Sequence, residues 1–228
     1  MVTGKQLYKA AIDASDGHIG SVHDLYFDDH DWTIRYLVVD IGKWLPGRKV
    51  VLVPEVILAP WHGETAIPVK LTKDQVRSSP EIDTNQPISR QAEQLLHSHY
   101  GWIPYWEVPG VPAPPPPPPQ SGFAVEDRRE AIRFAESRSD PHLRSAKEIG
   151  GYHVQASDEE AGHVADFLID DDLRRILFLV VDLEELLSGK KVLIPPRLVS
   201  GIDWVGSRIE VDTSSRAIRT SQAYDTAA

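Results

Sequence analysis

The sequence predicts a mostly-β protein built from two small β-barrels of five to six strands each, joined by a linker that contains short helices and a polyproline run. Three observations support this prediction. One stretch of the chain occurs twice at a constant spacing. Short apolar segments separated by turn signals recur in each copy, as expected for the strands of a small barrel. Between the copies lies a run of six consecutive prolines, which can form neither a helix nor an inner strand.

The repeated stretch establishes the domain organisation. Residues 34–54 read IRYLVVDIGKWLPGRKVVLVP and residues 176–196 read ILFLVVDLEELLSGKKVLIPP, an offset of 142 residues. Over the longer segments 20–54 and 162–196, fifteen of thirty-five positions are identical without a gap. An internal match of that length indicates a duplicated domain. We predict a first barrel over 1–77, a linker over 78–144, a second barrel over 145–215 and a frayed tail over 216–228.

The first copy reads as a series of short strands. Asp16-Gly17 is a hairpin signal, because glycine accepts the positive φ of a tight turn. The segment Thr33–Asp40 is apolar on both faces and is expected to be covered on both sides. Pro54 cannot donate to a sheet and ends the strand before it. The predicted strands are residues 7–12, 19–27, 33–40, 49–53 and 65–69, and we expect the barrel to close its own edges.

Helices are predicted on both sides of the proline run. Thr72 and Gln75 have the spacing of a capping box, which favours a short helix after the first barrel. A second helix is predicted over 89–100, where apolar residues recur every three or four positions. Residues 112–119 are almost all proline and form a polyproline II spacer of roughly 25 Å, at about 3.1 Å per residue. A charged helix is predicted over 125–137.

Composition and charge narrow the classes of function. Hydrophobic residues make up 41% of the chain and charged residues 25%, which is ordinary for a globular protein. The formal net charge of −10 disfavours binding to nucleic acid and anionic lipid, because no basic run offsets it. The absence of cysteine excludes disulfides, thiolate metal sites and cysteine nucleophiles. No segment reads as a membrane span or a secretory signal, so we expect a cytoplasmic protein without direct membrane insertion.

The duplicated block resembles the PRC-barrel family, which is named after the cytoplasmic part of the H subunit of the photosynthetic reaction centre. The residues that carry the resemblance are Asp16–Gly20, Phe27–Asp29, Arg35–Asp40 and Lys49–Pro54. The second copy departs from this pattern at Glu159 and over 184–187. Residues 71–106 are also similar to the extension that follows the barrel in bacterial two-copy members. The resemblance implies β-barrels with an assembly or docking role in a bacterial protein, and it implies no shared reaction.

The residues that are identical in both copies are candidates for shared structural roles. Asp40 and Asp182 each end the most apolar strand, where a partly buried carboxylate can carry acid–base chemistry. They can equally accept backbone hydrogen bonds in the next loop, and we favour this role because both copies keep the carboxylate although their loops differ. An enzyme that uses these carboxylates is the alternative. The shared fold residues are Gly20, Asp24, Asp40, Gly47 and Lys49 in the first copy, and Gly162, Asp166, Asp182, Gly189 and Lys191 in the second.

One group of side chains in the first copy could be read as a metal site. Asp24 and Asp28, with His23 and His30 beside them, offer oxygen and imidazole ligands that suit Zn²⁺ or Mn²⁺. The second copy has neither histidine at the equivalent positions. Acidic residues at a junction of strand and turn commonly bond nearby backbone amides instead. We therefore expect no metal, no cofactor and no catalytic residue.

The aromatic residues Trp102, Tyr105 and Trp106 are the candidates for a partner surface, since Trp and Tyr are enriched at the energetic centres of interfaces. They can also pack the linker helix onto the first barrel. We expect a mixed case, in which Trp102 packs and the other two form an open rim. The sequence thus predicts a non-catalytic protein-binding or assembly module with an unidentified protein partner, a homodimer being one option. A second hypothesis is an accessory subunit of a membrane photosynthetic or electron-transfer complex.

Overall fold

Two β-sheets, one for each copy of the repeat, make up most of the structure, which is a computed structural model. The mostly-β fold class predicted from the sequence is confirmed. The described residues are 1–8, 10–42, 48–80, 90–104, 143–183 and 189–224.

The first copy contributes short strands and helices in alternation. Its strands are β1 (Val2–Thr3), β2 (Ala11–Ala14), β3 (Gly17–Asp28), β4 (Ile34–Asp40), β5 (Lys49–Leu52) and β6 (Ala66–Pro68). Its helices are α1 (Gly4–Leu7), α2 (Lys73–Arg77) and α3 (Arg90–Tyr100), with a 3-10 turn at Pro54–Val56. The first sheet has the order β5-β4-β3-β2-β6, in which β2 and β6 are parallel and the other neighbours antiparallel.

The second copy repeats this plan. Its strands are β7 (Leu143–Ser145), β8 (His153–Gln155), β9 (Glu160–Ile169), β10 (Ile176–Asp182), β11 (Lys191–Ile194), β12 (Val199–Asp203) and β13 (Arg208–Val211). Its helices are α4 (Ala146–Ile149) and α5 (Ser215–Arg219), with a 3-10 turn at Pro196–Leu198. The second sheet has the order β11-β10-β9-β8-β13-β12, in which β8 and β13 are parallel.

The first strand of each copy joins the sheet of the other copy. Strand β1 lies antiparallel to β9 with Val2 opposite Ile169, and β7 lies antiparallel to β3 with Arg144 opposite Phe27. The repeat offset of 142 relates Val2 to Arg144 and Phe27 to Ile169, so the two exchanges are equivalent. The copies are therefore joined by a reciprocal strand exchange, as in a two-fold dimer that swaps an identical element.

A local two-fold axis passes between Thr33 and Arg175. These residues are related by the repeat offset, and they form an antiparallel bridge with each other. The amide of Ile34 donates to the carbonyl of Arg174 at 2.7 Å, and the offset-related bond from the amide of Ile176 measures 3.0 Å. The two halves of the chain are thus arranged like the two subunits of a symmetric dimer.

The equivalence of the copies extends to the core. Val38 lies opposite Asp24, Val180 lies opposite Asp166, and both valines are fully buried. Val38 and Val180 therefore hold the same place in their sheets, which confirms the predicted duplication. Most buried apolar side chains of both copies belong to one continuous cluster. The two copies share a core instead of forming separate ones.

The N-terminal segment differs from the strand predicted over 7–12. Residues Gly4–Leu7 form α1, and the strand begins only at Ala11. The amide of Gln6 donates to Oγ1 of Thr3, and the amide of Thr3 donates to Oε1 of Gln6. This capping box satisfies the first amides of the helix and outweighs the apolar pattern that favoured a strand.

The other predicted elements of the first copy and its extension are found close to their expected positions. The remaining four strands lie within two residues of their predicted ends, and Gly17 has the expected positive φ of 121°. The capping box of Thr72 and Gln75 begins α2, and the helix predicted over 89–100 is α3. The predicted polyproline run and the helix over 125–137 lie outside the described residues. No helix among the described residues is long and apolar enough to span a bilayer.

The prediction that each barrel closes its own edges is wrong. Across the part of the chain that the structure describes, the first sheet runs as an open path from β5 to β6, and the second from β11 to β12. Strand β3 pairs with β2 through its first half and with β7 of the other copy through its second half. The exchanged strand thus covers backbone groups that a self-closed barrel would pair internally.

The frayed tail predicted after residue 215 is also wrong over 216–224. Helix α5 packs through Ile218, which is buried. The amide of Leu193 donates to the carbonyl of Gln222 at 2.9 Å, and residues 222–224 continue along β11. Residues 222–224 are ordered because they pair with β11, an edge strand of the second sheet.

Candidate functional site

Asp24 holds the N-terminal end of α4, which belongs to the other copy. Its Oδ1 accepts hydrogen bonds from the amides of Lys147 at 3.1 Å and Leu25 at 2.7 Å, and its Oδ2 accepts one from the hydroxyl of Ser145 at 2.6 Å. Burial raises the pKa of Asp24, and the hydrogen bonds to its ionised form act in the opposite direction. Only 7% of the residue is exposed. The carboxylate therefore fastens the two copies together.

Asp166 makes the equivalent contact in the opposite direction. Its Oδ1 accepts hydrogen bonds from the amide of Lys5 at 3.1 Å, at the start of α1, and from the amide of Phe167 at 2.9 Å. Burial raises the pKa of Asp166 as well, while these backbone bonds lower it. Each copy thus supplies one carboxylate and one short helix. The carboxylate of each copy accepts a hydrogen bond from an amide at the start of the other copy's helix. A short helix leaves its first amides without internal partners, and the aspartate supplies one.

Tyr8 lies at the same junction. Its hydroxyl is buried and forms no hydrogen bond with any residue that the structure describes. Burial raises the pKa of Tyr8, and the negative charges of Asp24 and Asp166 raise it further. The phenol stays protonated at neutral pH and offers no base to a substrate.

The residues considered as metal ligands in the first copy have separate roles. Asp28 accepts a hydrogen bond from the guanidinium of Arg35 at 2.8 Å and another from the amide of His30 at 3.0 Å. Burial lowers the pKa of His23, and nearby lysine charges lower it further. Within the described ranges, no three His, Asp or Glu side chains are grouped so that they could hold a metal ion.

The strand-end aspartates lie against the shared glycines. A Cβ atom on Gly20 would sit 2.2 Å from the carbonyl oxygen of Asp40, and one on Gly162 would sit 2.0 Å from that of Asp182. Glycine is required at both positions because any side chain would collide with backbone. Oδ1 of Asp40 accepts a hydrogen bond from the amide of Gly42 at 2.7 Å. This hydrogen bond to the following loop is the structural role that we favoured for the Asp40 carboxylate from the sequence.

The shared lysines face the strand-end aspartates across the sheet. Asp40 pairs in register with Lys49, and Asp182 with Lys191. Opposite charges in such cross-strand positions attract each other and stabilise the pairing. Of the two shared glycines in the following loops, Gly189 has a φ of 52°, whereas Gly47 lies outside the described residues.

Helix α3 is anchored to the first sheet by a buried polar group. The hydroxyl of Tyr36 lies 2.9 Å from Oε1 of Glu93 and 3.0 Å from Nε2 of His97. None of the three residues is more than 4% exposed. A network of this kind fixes a helix in one position, because each group loses a partner if the helix shifts. This network was not predicted from the sequence, although the four-residue spacing of Glu93 and His97 places them on one helix face.

Trp102 packs where the chain leaves α3. Its ring stacks on Tyr100 with centroids 4.1 Å apart and meets His97 edge-on at 5.9 Å. It is partly buried against the shared core. The next residue in the chain, Ile103, is 79% exposed. We refer to Trp102 and Ile103 as the α3-exit surface.

The other two aromatic candidates follow this surface in the sequence. Tyr105 and Trp106 lie outside the described residues, so the structure places only Trp102 of the three candidates for a partner surface. The exposed residue Ile103 was not singled out from the sequence, and its exposure is evident only from the fold.

Comparison with known protein families adds one match. The family model described as PRC-barrel domain matches residues 7–76 and 141–218, which together are more than half of the chain. Both segments coincide with the two copies of the repeat. No protein of the curated set matches the sequence.

Proposed function

Because the chain belongs to the PRC-barrel family, we propose that it is a non-catalytic module that binds a protein partner through the α3-exit surface. The observation that carries this proposal is the exposure of Ile103, at 79%, directly beside the anchored Trp102. Exposed apolar residues next to fixed aromatic rings are typical of interface centres, because the rings lose little conformational freedom on binding. Tyr105 and Trp106 follow Ile103 closely in the sequence.

The uses of the shared polar residues support a binding role over catalysis. Asp24 and Asp166 are engaged in joining the copies, and Asp40 accepts a hydrogen bond from its own loop. A catalytic carboxylate must reach a substrate, whereas Asp24 is held by three donors of the protein itself. We therefore assign no reaction to the strand-end carboxylates.

The test compares two exposed aliphatic residues, Ile103 and Leu58, that lie in different parts of the fold. Ile103→Ser should leave folding intact and abolish partner capture or self-association, measured by affinity capture with mass spectrometry and by light scattering. The matched control is Leu58→Ser, because Leu58 is 60% exposed but lies elsewhere. Proteins captured by the parent and by Leu58→Ser, but lost from Ile103→Ser, support the proposal. Equal capture by all three chains overturns it.

A Tyr105→Ala/Trp106→Ala variant extends the test to the sequence neighbours of this surface. Loss of assembly without a change in melting temperature would place both residues in the interface. A second copy of this chain is one possible partner, and light scattering of the parent identifies that case directly.

A further inference from the structure

A cleft of about 650 Å³ lies where the two copies meet on one side of the local two-fold axis. The turn after β3 forms one wall, including Asp29 and Trp32, and the start of β12 forms the other, including Val199 and Ile202. Arg197 also lines the cleft and is exposed. A volume of this size is in the range of pockets that bury a small ligand or a few side chains.

The position related to this cleft by the repeat offset is closed by the chain itself. There the amide of Trp61 donates to the carbonyl of Asp171 at 2.7 Å, and the indole is only 2% exposed. The guanidinium of Arg174 also pairs with the carboxylate of Glu55 at 3.0 Å. The turn of the second copy is thus joined to the first copy by an aromatic side chain, a backbone hydrogen bond and an ion pair.

On the cleft side the described residues at the offset-related positions are of different types and make other contacts. The offset places Asp203 where the other side has Trp61, and Asp203 is engaged within its own hairpin by Gly206 and Arg208. The offset also places Arg197 where the other side has Glu55, and Trp32 where it has Arg174. The two-fold symmetry of the fold therefore breaks at this point.

The charges that remain in the cleft favour an acidic ligand. Asp29 is paired with Arg144 at 3.2 Å, and Asp31 with Arg35 at 3.1 Å, so both carboxylates have counter-charges. Arg197 is exposed, and within the described ranges it makes no ion pair or side-chain hydrogen bond. Its counterpart Glu55 does have a partner. The guanidinium is therefore available to a carboxylate from outside.

We propose that this cleft binds a short peptide segment of a partner protein that presents an aromatic side chain and a nearby acidic residue. The aromatic ring occupies the space that Trp61 fills on the other side, between Val199 and the turn. The acidic side chain pairs with Arg197. This surface is distinct from the α3-exit surface, and the proposal rests on the proposed function only in treating the chain as a binding protein.

The probe for the test is a peptide that copies the segment filling the other side. The acetylated and amidated peptide Ala-Pro-Trp-His-Gly-Glu reproduces residues 59–64. Titrated into the ¹⁵N-labelled full chain, it should shift the amide signals of residues 29–32 and 199–202 saturably. Arg197→Glu should weaken binding at least tenfold, and the peptide with Ala in place of Trp should cause no saturable shift. The matched control is Arg216→Glu, an exposed arginine on α5, which should bind as the parent does.

The outcomes that overturn the proposal are specific. Absence of shifts at millimolar peptide removes it, as do shifts confined to other parts of the chain or equal binding by Arg197→Glu. Ile103→Ser should bind the peptide with unchanged affinity, because the two surfaces are separate. Failure of the peptide therefore leaves the test of the α3-exit surface standing, and the reverse also holds.

Discussion

The hydroxyl of Ser145 donates a 2.6 Å hydrogen bond to the carboxylate of Asp24, across 121 residues of sequence. The amide of Lys147 donates to the same side chain. Because these contacts join the copies, Asp24→Ala should lower the free energy of unfolding by about 2–3 kcal/mol, as expected when buried donors lose a charged partner. Urea denaturation measures this.

The control for that substitution is Asp74→Ala on α2. Asp74 is an exposed carboxylate whose contact with Arg77 is at the surface, so its loss should change stability by no more than about 0.5 kcal/mol. Equal effects of the two substitutions would contradict the role given to Asp24.

The raised pKa of Asp24 predicts a pH dependence with a definite sign. Between the ordinary value of 3.8 and the raised value, the folded state holds a proton that the unfolded state has released. Stability from this group is therefore lost as the pH rises through that window and is constant above it. Asp24→Asn removes the titration, so its stability relative to the parent should increase from about pH 3.5 upward before levelling off, in denaturation curves taken at several pH values. A decrease over the same range would contradict the direction of the shift.

Gly162 should tolerate no side chain. Gly162→Ala places a Cβ atom 2.0 Å from a backbone oxygen, in addition to the strain of a φ of 135°. We expect a loss of at least about 3 kcal/mol or failure to fold, measured by thermal denaturation. Gly151→Ala separates the two effects, since Gly151 has a φ of 92° but open space around it. That variant should lose only about 1–2 kcal/mol, from backbone strain.

The bridge at the two-fold axis predicts a productive cross-link. The hydrogen bonds on either side of Thr33 and Arg175 make them a non-hydrogen-bonded antiparallel pair, for which Cα atoms are about 4.5 Å apart. This spacing suits a disulfide, and the chain has no other cysteine to interfere. Thr33→Cys/Arg175→Cys should oxidise to a monomer with a raised melting temperature. Covalent dimers as the sole product would show that the exchange takes place between two chains.

Trp102 should contribute to stability, whereas its exposed neighbour should not. Trp102→Ala removes rings packed on Tyr100 and His97 and should cost about 2 kcal/mol, less than a fully buried tryptophan. Ile103→Ala should stay within about 0.5 kcal/mol of the parent, because 79% of the residue is exposed. Calorimetry of both variants separates packing from binding. Equal losses would remove Ile103 from the α3-exit surface.

The sequence predicted the elements whose signals are local. The strand Ile34–Asp40 is recognisable from its apolar run, and the α2 capping box from the spacing of Thr72 and Gln75. The exchange of β1 and β7 was not predictable, because strands of two or three residues carry no periodicity of their own. Their pairing is decided by the sheet of the other copy.

The sequence indicated which residues belong to the candidate site, but it did not indicate which residues they contact. Asp24 and Asp166 stood out because both copies keep them, yet their partners in the other copy lie more than 120 residues away in the sequence. The cleft was also not predictable from the repeat, because the cleft depends on a difference between the copies at Trp61 and Asp203. Such differences become informative only once the two-fold axis is known.

The reciprocal strand exchange has a consequence for how this chain can change. In a dimer of identical subunits, one mutation alters both equivalent contacts at once. Here the two contacts are encoded separately, with Lys5 bound to Asp166 on one side and Ser145 bound to Asp24 on the other. One contact can be conserved to hold the copies together while the equivalent contact changes and acquires a different function. The different surroundings of Trp61 and Asp203 show that equivalent positions of the two copies can take on different roles.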